Sequence, residues 1–187
     1  MRVIAGKYRS RPLRSLRGMD IRPTSDRLRE TLFNVLTAGN PEALSGSIWV
    51  DLFAGTGAVG IEALSRGAAQ VYFVESSKPA AEVIQENLRS LGLADGFEIL
   101  RMDSVRAISD LERRSTRPNY IFLDPPYAMR EAYEQTIGRL AESAIGTTAT
   151  VIAEHEKRFD PGDKFGSLLR FRKLLQADAG LSFYRAL

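Results

Sequence analysis

The chain has 187 residues, a length that suits one domain with a proper hydrophobic core. Its 44% hydrophobic and 26% charged residues are ordinary for a globular protein and exclude disordered and fibrous classes, and the lack of cysteine excludes disulfides and thiolate metal sites. A formal net charge of +3 is unevenly placed: residues 1–29 hold nine Lys/Arg against two Asp, or +7, and residues 30–187 hold 17 basic and 21 acidic groups, or −4.

The opening MRVIAGKYRSRP has no apolar core of signal-peptide length, and no apolar run approaches the ~20 residues of a membrane span. The expectation is a soluble, cytoplasmic protein. Residues 1–22 read as a β-hairpin or extended arm, because Val3, Ile4, Tyr8, Leu13 and Leu16 are interleaved with arginines and punctuated by Gly6 and Pro12. A basic end on a mildly acidic body suits a polyanion, and the planar fork of arginine suits phosphate. Residues 23–187 read as one further domain. Thr24 or Ser25 can cap a helix with Leu28, Leu32, Val35 and Leu36 on its apolar stripe, ending near Gly39-Asn40-Pro41.

Strands and helices then alternate. Strands are predicted at 48–50, 70–74, 97–100, 120–123 and 148–153, and helices at 59–66, 79–91, 105–111 and 131–143. Two last strands, 168–174 and 181–185, follow without a helix between them and so pair antiparallel. The expected fold class is α/β, with a seven-stranded, mostly parallel sheet and helices on both faces.

Two motifs carry the chemistry. Gly55-Thr56-Gly57-Ala58-Val59-Gly60 fits G-x-G-x-x-G after a strand, with Glu75 twenty positions after Gly55 at the end of the next strand. That spacing suits an acidic group on a ribose diol and does not by itself separate NAD from S-adenosylmethionine. Asp51, at the end of the first strand, disfavours a pyrophosphate and accommodates a cationic sulfonium amino acid. Glu75 and Asp103 then suit ribose hydroxyls and an adenine amino group, and Phe53 a pocket wall. Asp124-Pro125-Pro126-Tyr127 follows the fourth strand. Its prolines remove two N–H donors, leaving the Asp124 carboxylate and the Pro125 carbonyl as acceptors beside an aromatic ring. This set fits an exocyclic amine on a flat base. His155, the single histidine, lies between Glu154 and Glu156 on a strand, where side chains alternate and do not converge; a surface or supporting role is expected. Trp49 reads as core. Arg113, Arg114 and Arg117 precede the fourth strand, in a loop that could touch RNA or simply be solvated.

Asp51–Gly60, Glu75, Asp103 and Asp124–Tyr127 resemble, in order, the motifs of class I S-adenosylmethionine-dependent amino-methyltransferases. The run RPTSDRLRETLFN at 22–34, with RVIAGK at 2–7 and Arg9/Arg11, is similar to the RsmD family of bacterial 16S rRNA guanine-N2 methyltransferases. The resemblance covers essentially the whole chain. One departure is Gln176-Ala177, where family members often have Tyr-Gly. It implies a single-domain Rossmann-like fold, S-adenosylmethionine as donor and a guanine of 16S rRNA as acceptor, free or in the assembled small subunit. It also implies a monomer that needs no metal and no membrane. Asp51, Phe53, Gly55, Gly57, Glu75, Ser76, Asp103, Ser104 and Asp124 would meet the cofactor. Asp124, Pro125, Pro126 and Tyr127 would hold the target base, and Lys7, Arg9, Arg11, Arg22, Thr24, Arg27 and Tyr127 the RNA. A DNA adenine-N6 methyltransferase shares the acceptor motif but needs a target-recognition segment for which this chain has no room. An NAD-dependent oxidoreductase has no use for that motif, and a non-catalytic RNA-binding module has no use for an intact Asp124 and Tyr127.

Overall fold

The computed structural model describes residues 1–15 and 25–187. Ser25 caps the first helix, α1 (Asp26–Thr37), by accepting the Leu28 N–H at 3.1 Å. The buried side chains of α1 are Leu28, Arg29, Leu32 and Phe33. Then come β1 (Ile48–Leu52), α2 (Ala58–Ser65), β2 (Gln70–Val74), α3 (Lys78–Ser90), β3 (Phe97–Leu100), α4 (Ser104–Arg113), β4 (Tyr120–Leu123), α5 (Arg130–Ala141), α6 (Ala144–Thr148) and β5 (Thr150–Glu156). The chain ends with β6 (Lys164–Phe165), β7 (Leu168–Gln176) and β8 (Ala179–Ala186). Caps follow the sequence: Ser77 opens α3, with Pro79 in its first turn, and Asp103 opens α4.

The sheet has eight strands in the order β3-β2-β1-β4-β5-β8-β7-β6. This corrects the expected seven by one. The added β6 is a two-residue edge strand held where Phe165 packs edge-on against Tyr184. The strands from β3 to β5 in this order pair parallel, and β8, β7 and β6 pair antiparallel. A second addition is α6, capped by Ser143, which lies beyond the helix expected at 131–143 and includes Thr148, expected to begin a strand.

Each face of the sheet carries its own core. On one side α1, α2 and α3 bury Phe33, Ile61, Ile84 and Leu88 against Trp49, Phe73 and Phe122. Trp49 lies between Phe33 and Tyr120, each with its ring centroid 5.4 Å away, so it is core as expected. On the other side α4, α5 and α6 bury Ile108, Leu111, Tyr133, Ile137, Leu140 and Ile145 against Leu52, Ile121, Leu123 and Val151.

The strand order reverses between β1 and β4. Leu52 and Leu123 are register partners there, so the turn leaving β1 and the turn leaving β4 open side by side. In such sheets ligands bind at this switch point, outside the carboxyl ends of the strands. The same register aligns Leu52 with Val74 and Leu123 with Ala153, which puts Glu75 and Glu154 on the same rim.

The described part of the expected hairpin or arm is docked on the body. Residues 1–15 form a short clasp with one antiparallel bridge, Arg2 to Pro12. Three backbone bonds close it, from Val3 to Arg11, Ser10 to Val3 and Leu13 to Met1. Val3 and Leu13 are buried in the core, and the clasp lies along α2. Every residue of α2 is buried as a result.

The β7–β8 hairpin turns through Ala177, which has φ 52. This is where Gln176-Ala177 departs from Tyr-Gly. A left-handed L-residue costs about 1–2 kcal/mol, and glycine's greater freedom when unfolded offsets about 0.5–1 kcal/mol of that. Ala177→Gly is therefore expected to stabilise the fold by about 0.5–1 kcal/mol in urea denaturation. An unchanged or lowered midpoint would contradict the strained turn.

Candidate active site

The turn after β1 is held from beneath by two carboxylates. Asp51, 2% exposed, accepts the Gly60 N–H at 2.9 Å. Glu75 accepts the Gly55 N–H and the Ser77 N–H, each at 2.8 Å. One side chain at the end of β2 thus ties the glycine turn to the start of α3.

The three glycines answer different needs. Gly57 has φ 78, and a Cβ there would come within 3.2 Å of Ile84. At Gly60 a Cβ would sit 2.3 Å from the Phe73 ring, so this glycine lets α2 lie against β2. At Gly55, φ 56 and half-buried, a Cβ would meet nothing nearer than 4.0 Å, so open space that a ligand can fill lies beside it. Phe53, at φ 63, is a bulky residue in the left-handed region. Such strain persists only where neighbours impose it, and it clusters at functional sites. Composition and spacing give no sign of it.

Burial drives the Asp51 carboxyl up from an ordinary 3.8 to about 7, with the Gly60 N–H opposing and the charges of Glu75 and Glu154 adding to the rise. A cradle with three acids about it fits a ligand that brings positive charge. The open face at Gly55 and the remaining lone pairs of Glu75 fit the hydroxyls of a sugar. These residues therefore suit S-adenosylmethionine.

The other expected cofactor contacts lie around the same rim. Ser76 is exposed beside the α3 cap. Asp103 uses Oδ1 to cap α4 through the Arg106 N–H at 2.9 Å and pairs with the Arg106 side chain at 3.3 Å. The Ser104 hydroxyl is buried against Thr136 at 2.9 Å, so only its backbone is available to a ligand.

Asp124 follows β4 directly and is half-buried; Pro125 is buried, Pro126 exposed and Tyr127 half-buried. The Met129 N–H donates to the Pro126 carbonyl at 2.7 Å and closes the turn. Beneath it lies Tyr133 of α5, whose hydroxyl donates to the Glu154 carbonyl at 2.9 Å and lies 3.5 Å from the Pro125 carbonyl. Burial, then the nearby Asp124 charge, pushes this phenol well above its usual range, so it stays a donor. The Tyr133 ring packs on Phe159 at 5.0 Å, and the Arg130 guanidinium lies 5.3 Å from the Phe159 ring. Tyr133 is a supporting residue that sequence reading missed. Its signal was a tyrosine in the buried stripe 133, 137, 140, since a buried phenol needs a partner.

The expected RNA contacts are only partly gathered. Lys7 and Arg9 are exposed on the clasp, and Arg27 is exposed on α1. Arg11 donates to the Ser90 carbonyl at 2.7 Å and is thereby held along α3. Arg22 and Thr24 lie outside the described residues. Arg113 and Arg114 pair with Asp110, and Arg114 also with Glu98. His155 is fully buried and in a supporting role: its Nε2 meets Ser182 Oγ at 3.0 Å across the β5–β8 pair. Burial lowers its pKa. Among the described residues, no three acids or histidines are arranged to hold a metal, and no helix is long and apolar enough to cross a membrane.

The chain is similar to known proteins from end to end. Residues 1–185 match the family described as Conserved hypothetical protein 95. Ribosomal RNA small subunit methyltransferase D of Haemophilus influenzae is 37% identical over 161 residues, which cover 84% of this chain and 79% of the relative. YlbH of Bacillus subtilis is 33% identical over 187 residues, 99% of this chain and 98% of its own length. The solved structure of yhhF from Escherichia coli superposes with a TM-score of 0.81 at 31% identity, covering 100% of this chain and 97% of its own.

The buried Asp51 should shape the pH dependence of stability. Between an ordinary 3.8 and about 7 the folded chain keeps a proton that the unfolded chain has lost. Its stabilising contribution is complete below about pH 4 and is lost as pH rises through about 7, on the order of a few kcal/mol. Urea denaturation at pH 5 and pH 8 should show a steeper loss for the wild type than for Asp51→Asn. Equal losses in the two proteins would contradict a raised Asp51.

Proposed function

We propose that this chain, which belongs to the RsmD family of rRNA methyltransferases, methylates the exocyclic N2 amine of a guanine in 16S rRNA. The observation that carries this reading is the switch point: the glycine turn and Asp124-Pro125-Pro126-Tyr127 open side by side from register partners in β1 and β4. A cofactor socket and an amine-acceptor motif can then share one cleft.

In this reading Asp51, Gly55 and Gly57 hold the methionine portion of S-adenosylmethionine. Glu75 holds the ribose, Phe53 walls the cleft, and Ser76, Asp103 and the Ser104 backbone border the adenine. When bound, this cofactor supplies an electrophilic methyl carbon on a sulfonium. The protein's part is positioning and charge. A guanine amine is a poor nucleophile because its lone pair is delocalised into the ring. The Asp124 carboxylate and the Pro125 carbonyl accept its two hydrogens and favour the tetrahedral geometry that frees the lone pair. Tyr133, bonded to β5 through the Glu154 carbonyl, lies 3.5 Å from the Pro125 carbonyl and would support that turn. Tyr127 stacks on the base, a contact of roughly 1–3 kcal/mol. On methyl transfer, with neutral S-adenosylhomocysteine as the leaving group, Asp124 would stabilise the cationic nitrogen, whose proton would pass to the Asp124 carboxylate or to solvent. Alignment and this electrostatic term supply the rate.

The amine is hidden inside a helix, so the guanine must be unpaired or flipped out. Lys7, Arg9, Arg11 and Arg27, with Arg22 and Thr24, would contact the RNA backbone, which gives affinity rather than sequence choice. The substrate is taken as 16S rRNA, free or in the small subunit, and the enzyme as a monomer.

Calorimetry should show heat with S-adenosylmethionine or its demethylated product and none with NADH; the reverse would overturn the cofactor assignment. Asp124→Ala should lower kcat by about 100-fold or more while cofactor affinity stays within a few-fold. Transfer at the wild-type rate would remove the two-acceptor mechanism.

A further inference from the structure

Asn87 lies fully buried in α3, and its amide is shared by two segments with separate functions. Its Oδ1 accepts the Arg14 N–H at 2.7 Å. Its Nδ2 donates to the Arg14 carbonyl at 3.2 Å and to the Thr56 carbonyl at 3.0 Å. Both amide hydrogens are therefore engaged, and Asn87 treats Arg14 as a strand would treat its partner. Thr56 is the middle residue of Gly55-Thr56-Gly57, at the centre of the cofactor turn. Arg14 stands near the end of the clasp and leads in sequence to Arg17 and Arg22.

Neighbouring contacts reinforce the tie. Arg14 pairs with Glu86 at 2.6 Å, and Arg11 reaches the Ser90 carbonyl at 2.7 Å, so α3 grips the clasp around Asn87. At the other end, Thr56 Oγ1 lies 3.8 Å from Met1 Sδ, and the Met1 carbonyl accepts the Leu13 N–H at 3.1 Å. Both ends of the clasp thus converge on Thr56.

We propose that Asn87 is a positioning residue that couples RNA binding to cofactor binding. This rests on the proposed activity, in which the cofactor occupies the glycine turn and the basic clasp meets rRNA. A ligand that fixes Thr56 also fixes Arg14 of the basic clasp through one rigid, buried amide. Linkage makes the effect reciprocal: RNA held by the clasp tightens the cofactor site by the same factor. Coupling of this kind travels through contiguous bonds with few alternatives, and here it needs only one side chain.

The test is binding of S-adenosylhomocysteine, measured by calorimetry with and without 16S rRNA, together with hydrogen exchange at residues 54–60. Arg14→Pro removes the N–H that Asn87 accepts, and Arg14→Ala keeps it while removing the same charge. Wild type and Arg14→Ala should bind S-adenosylhomocysteine about 5–20-fold tighter with RNA present, with slowed exchange at 54–60. Asn87→Ala and Arg14→Pro should bind each ligand alone within a few-fold of wild type and show neither effect. Should Asn87→Ala fail to fold, Arg14→Pro decides alone. Coupling that survives in the variants, or wild type that binds both ligands independently, overturns the proposal and leaves the methyl-transfer reading intact. Wild type that binds neither ligand overturns that reading and this one with it.

Discussion

Two carboxylates beneath one turn set the geometry of the site. The free N–H groups at the start of a helix need acceptors, and in this chain Asp51 and Glu75 supply them from the ends of adjacent strands. The turn is therefore locked to β1, β2 and α3 at once. That arrangement concentrates like charge: Asp51, Glu75 and Glu154 stand close enough for each of the latter two to oppose ionisation of the first. A ligand bringing positive charge relieves the opposition. The feature that fixes the turn thus also selects the charge of what the turn can hold.

The N-terminal clasp has its own constraint. Helix α2 has no solvent face, so something must cover its outer side. Glu62, fully buried, accepts the Ile4 and Ala5 N–H groups and the Arg66 side chain. Ser65 accepts the Tyr8 N–H, and Gly6 lies so close to Ser65 that a Cβ would be 1.9 Å from its carbonyl oxygen. Buried Arg29 of α1 joins through the Arg2 carbonyl and Asp26. The basic N-terminus is therefore both a cover for the helix that follows the glycine turn and a carrier of charge. Removing its charges and removing its backbone are different perturbations, because only the second exposes Glu62.

The sequence made much of the architecture legible because strand and helix periods are local. Most elements lie within a few residues of their expected bounds, and the Ser25 cap was readable from residue type. The glycine turn and Asp124–Tyr127 were readable because each follows a strand with residue types at fixed local spacing. What escaped depends on distant partners. The clasp meets α2 across nearly 60 residues of sequence, and nothing local distinguishes a docked segment from a free arm. The roles of Tyr133 and Asn87 arise from carbonyls that only the tertiary fold brings near. The left-handed φ of Phe53 has no mark in residue type, and β6 brings together Phe165 and the distant Tyr184.

The most direct measurement is to map the product. Purified protein, labelled S-adenosylmethionine and small ribosomal particles from a strain lacking the protein would be incubated, and the modified nucleotide located in the RNA. The expected result is label on N2 of a single guanine, approaching one methyl group per particle. Label on an adenine, or none on the RNA, would contradict the proposed methylation of a guanine amine.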